Sequence, residues 1–482
     1  MFLRLFPAFS LLAVAALANP RSESGKSSPN IAPAPEHPSA YLFAHFTGES
    51  PRGEQIYFAV SEDGRHWSDL NNSEPVLISD VGEKGVRDPS LIRLADGKKF
   101  LLLATDLRIA AGRGWGESMK NGSTSLVFWE SSDLVHWSKP WMVDVASAIP
   151  EAGCAWAPEA IYDESRGDYF VYWATISPRE GERRARIYGA RTKDFRSFTA
   201  PELYIDRRGE SGKGQDIIDT QIMEVESARR RFYRASGDGQ ITIEAADHLL
   251  GPWERIGDLA RLGYTGKMVE GPILFKFNGQ RKWGLFADQY ATSRGYLPFE
   301  TTNLDDPAAF QVMPTGSYSF GDSRKRHGGV LPITKRELDA LRAKWPSQPS
   351  VTLAPLASPG RKIRHADFRL RLDADVKPAE DGRWRITPAL SGEKGAVSIR
   401  STNYPDRYIA ATPAGADIAP DDGSPTFAAR ASFVRVPGLA DADAISFRLV
   451  GSTDAYLQAD TTGLRVAPAR TEAARLGATF IP

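Results

Sequence analysis

The sequence predicts an all-β protein in which a five-bladed β-propeller is followed by a β-trefoil. A strand-rich segment ending in an aromatic residue recurs five times in the central region, and a second series of polar residues that open strands runs in step with it. The C-terminal region holds a separate threefold repeat. Repeated groups of short strands spaced by several tens of residues are typical of propeller blades.

The composition is that of a folded, neutral protein. The 482 residues include 60 Lys and Arg and 60 Asp and Glu, so the formal net charge is zero. Proteins that bind nucleic acids are normally basic, and we therefore expect no nucleic-acid partner. The length is sufficient for two or three domains with substantial cores.

The N-terminus has the pattern of a secretory signal peptide. Residues 1–18 combine Arg4, an apolar run and a small-x-small ending. The alternative, an uncleaved membrane anchor, is disfavoured because the run is shorter than the about 20 apolar residues that a span needs. Residues 19–40 are rich in Pro, Ser and Ala and are predicted to form a disordered leader. We expect a secreted monomer, extracellular or periplasmic, without a membrane partner.

Two series of residues define the predicted blades. The aromatic series ends, copy by copy, at Trp67, Trp137, Phe198, Trp253 and Phe310. The second series opens the inner strands at Asp88, Glu159, Asp219, Glu270 and His327. Because the first strand of each propeller blade lines the central channel, these polar side chains are predicted to converge on the axis.

The phase of the two series predicts how the propeller closes. The fifth inner strand, HGGVLPIT, has no further strands before the linker, and the first aromatic repeat, residues 41–67, has no inner strand before it. We therefore predict that residues 41–67 complete the fifth blade of a propeller spanning 41–343. Closure of the ring leaves fewer exposed sheet edges. A short helix, KRELDALRAKW, and a linker, 344–350, then lead to the last domain.

The C-terminal region, 351–482, contains three similar units. GRWRITP, ASFVRVPG and ATFIP align, and their aromatic residues Trp384, Phe433 and Phe480 are 49 and 47 residues apart. Three all-β units of this size predict a β-trefoil, a fold that is often used for binding.

Three acidic strand openers, Asp88, Glu159 and Glu270, are the candidate catalytic residues. Cleavage of a glycosidic bond needs a proton donor for the leaving oxygen and a carboxylate that activates water or attacks the sugar. A third carboxylate can raise the pKa of the acid by repulsion. On the residues alone, structural caps or salt-bridge partners are an equally good interpretation.

The segments VRDPSLIR, CAWAPEA and MVEGPILF, in this order, resemble glycoside hydrolase family 43. The resemblance implies a five-bladed propeller that cleaves arabinose- or xylose-containing glycans with inversion, without a cofactor for the chemistry. It makes Asp88 the general base, Glu159 the pKa-tuning and orienting carboxylate, and Glu270 the general acid. Glu159 departs from the family, which more often has Asp at this position.

The resemblance also suggests residues around the catalytic trio. His327 matches an axial histidine next to a bound cation in the family, so a structural Ca²⁺ on the propeller axis is predicted there. Calcium prefers oxygen ligands, and His327 would contact water around the ion. Phe46, Trp115 and Trp156 are candidate sugar-stacking residues, although core packing explains each of them at least as well.

The segments NYPDRY, DDGSPTFAARASFVRVPGLAD and IRHADFRLRLD resemble the arabinofuranose-binding trefoil module, the AbfB domain of carbohydrate-binding module family 42. The resemblance places a His and an Asp in each sugar pocket. The first unit keeps both, as His365 and Asp367. The matching positions are Ala411 and Pro413 in the second unit and Ala459 and Thr461 in the third. One sugar site is therefore predicted, with a purely structural trefoil as the alternative.

Together these features predict a secreted inverting α-L-arabinofuranosidase acting on plant-type polysaccharides. The trefoil favours arabinose over xylose as the sugar released. The alternatives are a β-xylosidase, a galactan-active glycosidase and, in another class, a non-catalytic glycan-binding propeller.

Overall fold

The computed structural model describes residues 37–482, except 51, 209–213, 227–228, 238–239, 265–267, 293 and 461–462. Its strands form five four-stranded sheets followed by a smaller β domain, which confirms the predicted fold class. The predicted signal segment and the predicted leader up to residue 36 lie outside the described residues. Within the described ranges, no helix is both long and apolar enough to cross a membrane.

The five sheets of the described chain are the propeller blades, and all their strand pairs are antiparallel. The first strands of consecutive blades contact each other in a closed ring around the axis. From the axis outward, the strands of blade 1 are Val86–Arg93, Phe100–Asp106, Ser125–Ser131 and Trp141–Asp144, and those of blade 2 are Trp156–Asp163, Asp168–Arg179, Glu182–Thr192 and Glu202–Ile205. The strands of blade 3 are Ile218–Glu224, Phe232–Gly237, Ile241–Ala246 and Glu254–Asp258, and those of blade 4 are Glu270–Lys276, Trp283–Asp288, Tyr296–Thr301 and Gln311–Val312. The strands of blade 5 are Arg326–Ile333, Ala40–Phe46, Tyr57–Ser61 and Trp67–Asp69.

Blade 5 joins the two ends of the propeller, as the phase of the repeats predicted. Its inner strand, Arg326–Ile333, comes from the end of the domain and pairs with Ala40–Phe46 from the beginning. The seven residues of Ala40–Phe46 are all buried, because this strand is covered on both faces by neighbouring blades. Each axial strand pairs with one strand of its own blade and packs against the axial strands of the two neighbouring blades.

The helix predicted after blade 5 spans Lys335–Lys344. It begins with a capping box, in which Thr334 accepts a hydrogen bond from the Glu337 amide and the Glu337 carboxylate accepts one from the Thr334 amide. Glu337 also binds Arg93 of blade 1 at 2.8 Å. The helix thereby ties blade 5 to blade 1 across the closure.

Apolar side chains pack between every pair of adjacent blades in the described chain. Each of the five clusters contains fully buried aromatic residues, for example Trp129, Trp173, Tyr172, Trp283 and Phe43. Burial of one large apolar side chain contributes about 1.5–3 kcal/mol. The core is therefore distributed around the ring rather than concentrated on the axis, which leaves the axis free for polar groups.

The acidic residue of the aromatic repeat caps the turn before the outermost strand. In blade 5, Asp63 Oδ1 accepts hydrogen bonds from the amides of Arg65 and His66, both at 2.8 Å. Asp133 and Asp194 make the same pair of bonds in blades 1 and 2. The acidic residue of the repeat therefore marks a turn in which its carboxylate accepts hydrogen bonds from two backbone amides.

The C-terminal domain repeats one unit three times within the described residues. Each unit has a hairpin and a second pair of antiparallel strands. The hairpins are Lys362–Ala366 with Arg369–Asp373, Arg407–Thr412 with Gly415–Pro420, and Ala455–Asp460 with Gly463–Pro468; the other pairs are Trp384–Pro388 with Ala396–Ser401, Phe433–Pro437 with Ile445–Leu449, and Ala354–Pro355 with Phe480–Ile481. Short helices at Pro425–Arg430 and Glu472–Gly477 follow the second and third hairpins. Trp384, Phe433 and Phe480 share one buried cluster, as expected for a trefoil.

The trefoil packs directly on blade 5 of the propeller. Asp322, before the inner strand of that blade, accepts hydrogen bonds from Arg385 at 2.7 Å and from Arg383 at 3.2 Å. The buried Arg400 forms an ion pair with Glu74. Because Arg385 and Arg400 are both almost inaccessible to solvent, these contacts hold the first trefoil unit in a fixed position against the propeller.

Candidate active site

The inner strands of blades 1 to 4 all begin with a β-bulge. In blade 1, Arg87 faces Thr105 and Ser90 faces Leu103, so that Asp88 and Pro89 have no partner opposite them. The residue in the bulge adopts a positive φ in every case: 49° at Asp88, 48° at Ala157, 52° at Asp219 and 53° at Gly271. A bulge bends its strand and redirects the side chains next to it. Here it turns them towards one end of the central channel.

Each inner strand therefore offers two positions at this end of the channel. The bulge itself holds Asp88, Ala157, Asp219, Gly271 and, at the register shift of blade 5, His327. The preceding position holds Arg87, Trp156, Ile218, Glu270 and Arg326. Members of both sets line a cavity of about 750 Å³. Three carboxylic acids of the inner strands line it together, namely Asp88, Asp219 and Glu270.

His327 lies between two of these acids. Its Nδ1 is 3.5 Å from Oδ1 of Asp88 and 3.6 Å from Oδ1 of Asp219. Burial lowers the pKa of the imidazole, but the charges of Asp219 and Asp88 raise it, with a net value of about 10. Gly271 makes room for the ring, since a Cβ at this position would lie 2.8 Å from the His327 Cγ.

Asp88 and Asp219 have different pKa values. Burial acts to raise the pKa of Asp88, but His327, Arg87 and a 2.9 Å hydrogen bond from Thr105 lower it below its ordinary value. For Asp219, burial raises the pKa, His327 lowers it and the charge of Asp88 raises it, with a net value of about 6. Asp88 is consequently an ionised carboxylate over the whole neutral range.

Glu270 is the acid that holds its proton. Burial, followed by repulsion from Asp219 and Asp288, raises its pKa to about 8. Arg326 donates a hydrogen bond to Glu270 at 2.9 Å and another to Asp288 at 2.5 Å, which fixes the carboxyl group in the cavity wall. A proton donor and a proton acceptor with separated pKa values thus line the same cavity, as general acid–base catalysis requires.

Glu159 lies two residues beyond the Ala157 bulge, at the position that Ser90 has in blade 1. It is not part of the cavity lining. Its Oε2 accepts a 2.6 Å hydrogen bond from the Ser90 hydroxyl. The residue keeps some accessible surface, yet burial of the carboxyl group raises its pKa to about 7. Of the sequence-predicted trio, the structure brings Asp88 and Glu270 into the cavity and sets Glu159 apart from them.

The three candidate stacking residues have different surroundings. Trp115 and Trp156 line the cavity and meet edge to face with ring centroids 6.0 Å apart. Phe46 is fully buried, with the guanidinium groups of Arg87 and Arg326 at 4.6 and 5.4 Å from its ring centroid. Trp115 and Trp156 can therefore contact a sugar, while Phe46 supports the arginines beside the carboxylates.

The surroundings of His327 fit an ion-paired imidazolium better than a directly bound calcium ion. Among the described residues, no group of three or more His, Cys, Asp or Glu side chains has an arrangement that could hold a metal. The imidazole ring of His327 itself lies between Asp88 and Asp219. The axial Ca²⁺ stays a prediction, and the roles of the carboxylic acids do not depend on it.

The first trefoil unit reaches the same cavity. His365 is buried, and its Nε2 lies 3.0 Å from Oδ1 of Asn403, whereas Asp367 is exposed at the tip of the first hairpin. Neither predicted sugar-binding residue lines the cavity, but their neighbours Phe368 and Asn403 do. The trefoil thus supplies part of the cavity wall, which the sequence analysis did not anticipate.

Asp219 was predicted to face the axis but not to take part in catalysis. When the inner strands are aligned on their acidic residues, Glu159 falls opposite Asp88. Alignment on the prolines Pro89, Pro158 and Pro272 would have matched Glu159 with Ser90. Proline fits an unpaired bulge position because it has no amide to donate, and it therefore marks the bulge more reliably than charge does.

The central cavity of this five-bladed propeller is lined by a proton donor, Glu270, and a proton acceptor, Asp88. These are the groups that an enzyme using general acid–base catalysis needs. Residues 36–339, more than half of the chain, match the family model described as a probable glycosyl hydrolase domain, related to glycoside hydrolase family 43. The chain belongs to this family. Residues 356–481 match the α-L-arabinofuranosidase B (ABFB) domain.

Two relatives match parts of the chain. An α-L-arabinofuranosidase from Bifidobacterium longum is 28% identical over 367 residues, which are 68% of this chain and 33% of the relative. An extracellular exo-α-(1→5)-L-arabinofuranosidase from Streptomyces avermitilis is 39% identical over 123 residues, which are 25% of each protein. The chain thus spans about a third or less of the length of these relatives.

Among the solved structures that the chain matches is an exo-β-1,3-galactanase from Clostridium thermocellum. Its TM-score is 0.41 at 12% identity, and the match covers 86% of this chain and 98% of that protein.

Proposed function

We propose that this protein is an inverting α-L-arabinofuranosidase that releases arabinofuranose from plant-type polysaccharides. The observation that carries the proposal is the set of three carboxylic acids, Asp88, Asp219 and Glu270, which line one cavity and have pKa values pushed apart. Family membership supports hydrolysis of a glycosidic bond. The names of both relatives and the AbfB match support arabinose as the sugar.

In the proposed reaction Glu270 is the general acid. It is protonated at neutral pH and donates its proton to the glycosidic oxygen as the bond to the anomeric carbon breaks. Arg326, bound to the same carboxyl group, stabilises the carboxylate that remains. The leaving sugar chain departs as a neutral alcohol.

Asp88 is the general base in the same step. As an ionised carboxylate it accepts a proton from a water molecule, whose oxygen attacks the anomeric carbon from the face opposite the leaving group. The hydrogen bond from Thr105 and the ion pair with His327 hold this carboxylate in place. Attack from the opposite face inverts the anomeric configuration.

Asp219 takes the role that the sequence analysis gave to Glu159. Its negative charge raises the pKa of Glu270 and thereby keeps the acid protonated. The same charge favours the oxocarbenium-like transition state, which is positive at the sugar ring. The His327 imidazole lies between Asp219 and Asp88, within 3.6 Å of an oxygen of each.

We also propose that residues 1–18 direct the protein out of the cytoplasm. The signal-like pattern of the N-terminus and the extracellular relative from Streptomyces avermitilis support this location. It is the location in which a plant polysaccharide would be available as substrate.

The test is a comparison of nitrophenyl α-L-arabinofuranoside, β-D-xyloside and β-D-galactoside as substrates, followed by NMR of the first sugar formed. We expect the arabinofuranoside to give the highest kcat/KM and the product to appear with inverted configuration. Preference for the xyloside or galactoside would assign the enzyme to another substrate class. A retained configuration would exclude Asp88 as a general base, and no hydrolysis of any glycan would favour a binding propeller.

A further inference from the structure

The cavity wall is built by two domains. Around the carboxylates it consists of propeller residues, but one side consists of Phe368 and the continuous segment 403–407, all from the trefoil. Phe368 lies at the tip of the first trefoil hairpin, and 403–407 leads into the first strand of the second hairpin. The second and third trefoil hairpins contribute nothing beyond Arg407 to the described lining.

The trefoil side of the wall is fixed against the propeller. Arg324 of the propeller donates hydrogen bonds to the Thr47 carbonyl at 3.1 Å, and its guanidinium lies 5.4 Å from the ring centroid of Tyr404. Asp406 of the trefoil faces Ser50 on the propeller rim: burial raises the pKa of the Asp406 carboxyl, and Ser50 is among the groups that lower it. These contacts join both domains at the mouth of the cavity.

The trefoil aromatic residues support each other. Tyr404 meets Phe368 edge to face at 5.1 Å and His365 at 5.4 Å. The Arg407 guanidinium lies 3.6 Å from the centroid of the Phe368 ring. Phe368 nevertheless remains 38% exposed. A preorganised aromatic surface with adjacent guanidinium and amide groups suits a sugar, whose C–H faces pack on rings and whose hydroxyls form hydrogen bonds.

The position of this surface relative to Glu270 indicates which part of a substrate would meet it. Arg326 binds Glu270, and Arg324, two residues earlier on the same segment, packs against Tyr404. Segment 324–326 of the propeller thus joins the trefoil surface to the side of the cavity that holds the proposed general acid. In an inverting hydrolase this is the side from which the leaving group departs, while the attacking water lies next to the base.

The charges around the cavity favour a neutral ligand. Acidic and basic side chains are nearly balanced in its lining: Glu49, Asp88, Asp219, Glu270 and Asp406 against Arg87, Arg324, Arg326 and Arg407. A site for a uronic acid or a phosphorylated sugar would need an excess of positive charge. A neutral oligosaccharide is therefore the ligand class that fits.

We propose that the first trefoil unit forms the leaving-group subsite of the active site and that Phe368, Tyr404 and Arg407 bind the oligosaccharide chain that remains after cleavage. This proposal rests on the proposed function, since it assumes that Glu270 protonates that chain. The trefoil is then a specificity element of the catalytic cavity. It selects arabino-oligosaccharides over substrates whose leaving group is too small to reach it.

The test measures kcat/KM of the full-length chain on α-1,5-linked arabinotriose and on nitrophenyl α-L-arabinofuranoside. We expect the double variant Phe368→Ala/Arg407→Ala to lose about tenfold more kcat/KM on the triose than on the aryl substrate, as the loss of one stacking contact and its hydrogen bonds would give. Arg470→Ala is the matched control, because Arg470 is an exposed trefoil arginine outside the lining. It should change the two values by equal factors.

Two variants at Tyr404 separate the loss of stacking from a loss of structure. Tyr404→Phe keeps the ring and should retain most of the triose activity, whereas Tyr404→Ala should resemble the double variant. Thermal unfolding checks that each variant is folded. Equal losses on both substrates, or no loss on the triose, would overturn the subsite. A wild-type chain that cleaved neither substrate would instead overturn the proposed function, and with it the assignment of the subsite to arabino-oligosaccharides.

Discussion

The propeller and the trefoil both repeat a small β unit around an axis. They differ in how many of their repeats contribute residues to the cavity wall. In the propeller, the bulges of blades 1 to 4 keep one backbone conformation and carry different side chains, acids at Asp88 and Asp219 but Ala157 and Gly271 elsewhere. In the trefoil, the three hairpins keep one pairing pattern. Of the described trefoil residues, only Phe368 of the first hairpin and the segment 403–407 line the cavity.

This difference between the two domains follows from the directions in which their repeated units face. All propeller bulges face one axis, so a substitution in any blade changes the same site, and each blade can contribute a different function to it. The trefoil units face three directions, and only the unit that packs on the propeller can join that site. His365 is kept in this unit, whereas Ala411 and Ala459 stand at the matching positions of the other two.

The largest effect is expected from the propeller acid. Glu270→Gln cannot donate a proton, so we expect kcat on an arabino-oligosaccharide to fall about 10²–10⁴-fold. The loss should be smaller on a dinitrophenyl arabinofuranoside, because that leaving group departs without a proton. Glu300→Gln is the matched control, since Glu300 is a partly buried glutamate of blade 4 that binds Arg65 and Lys282 outside the cavity. Equal losses on both substrates would argue against Glu270 as the acid.

A smaller effect is expected inside the trefoil, where His365 positions Asn403 beside the cavity. His365→Ala should raise KM for an arabino-oligosaccharide about three- to tenfold and lower kcat less, because the loss affects binding of the chain. Asp367→Ala should have a smaller effect, since Asp367 is exposed and outside the lining. If both variants lose affinity for arabinan equally on a retention gel, the trefoil holds a sugar pocket of its own.

The architecture was predictable from the sequence because each blade repeats both a turn signal and an inner-strand signal. The phase of those signals also predicted correctly that residues 41–67 complete blade 5. The cavity was predictable only in part. Asp88, Asp219 and Glu270 lie at the axis, where the sequence placed them, but the predicted catalytic trio contained Glu159, which is outside the cavity lining, and not Asp219, which is part of it.

The contribution of the trefoil to the cavity could not be predicted from repeats. It depends on contacts between segments outside any repeat, such as Arg324 with Tyr404 and Asp406 with Ser50. Such contacts depend on the packing of two finished domains, and neither a strand period nor a residue type in the sequence records that packing. The same holds for the Arg400–Glu74 ion pair, in which the partners are more than 300 residues apart.

The most direct test of the account is the pH dependence of kcat/KM for Asp219→Asn and Glu159→Gln measured side by side. Glu270 must be protonated, so activity of the wild type should fall as the pH rises through about 8. Loss of the Asp219 charge lowers the pKa of Glu270, and Asp219→Asn should therefore move this fall to lower pH. Glu159→Gln should leave its position in place, because the repulsion on Glu270 comes from Asp219 and Asp288. A shift in Glu159→Gln without one in Asp219→Asn would contradict the assignment of Asp219 as the tuning carboxylate.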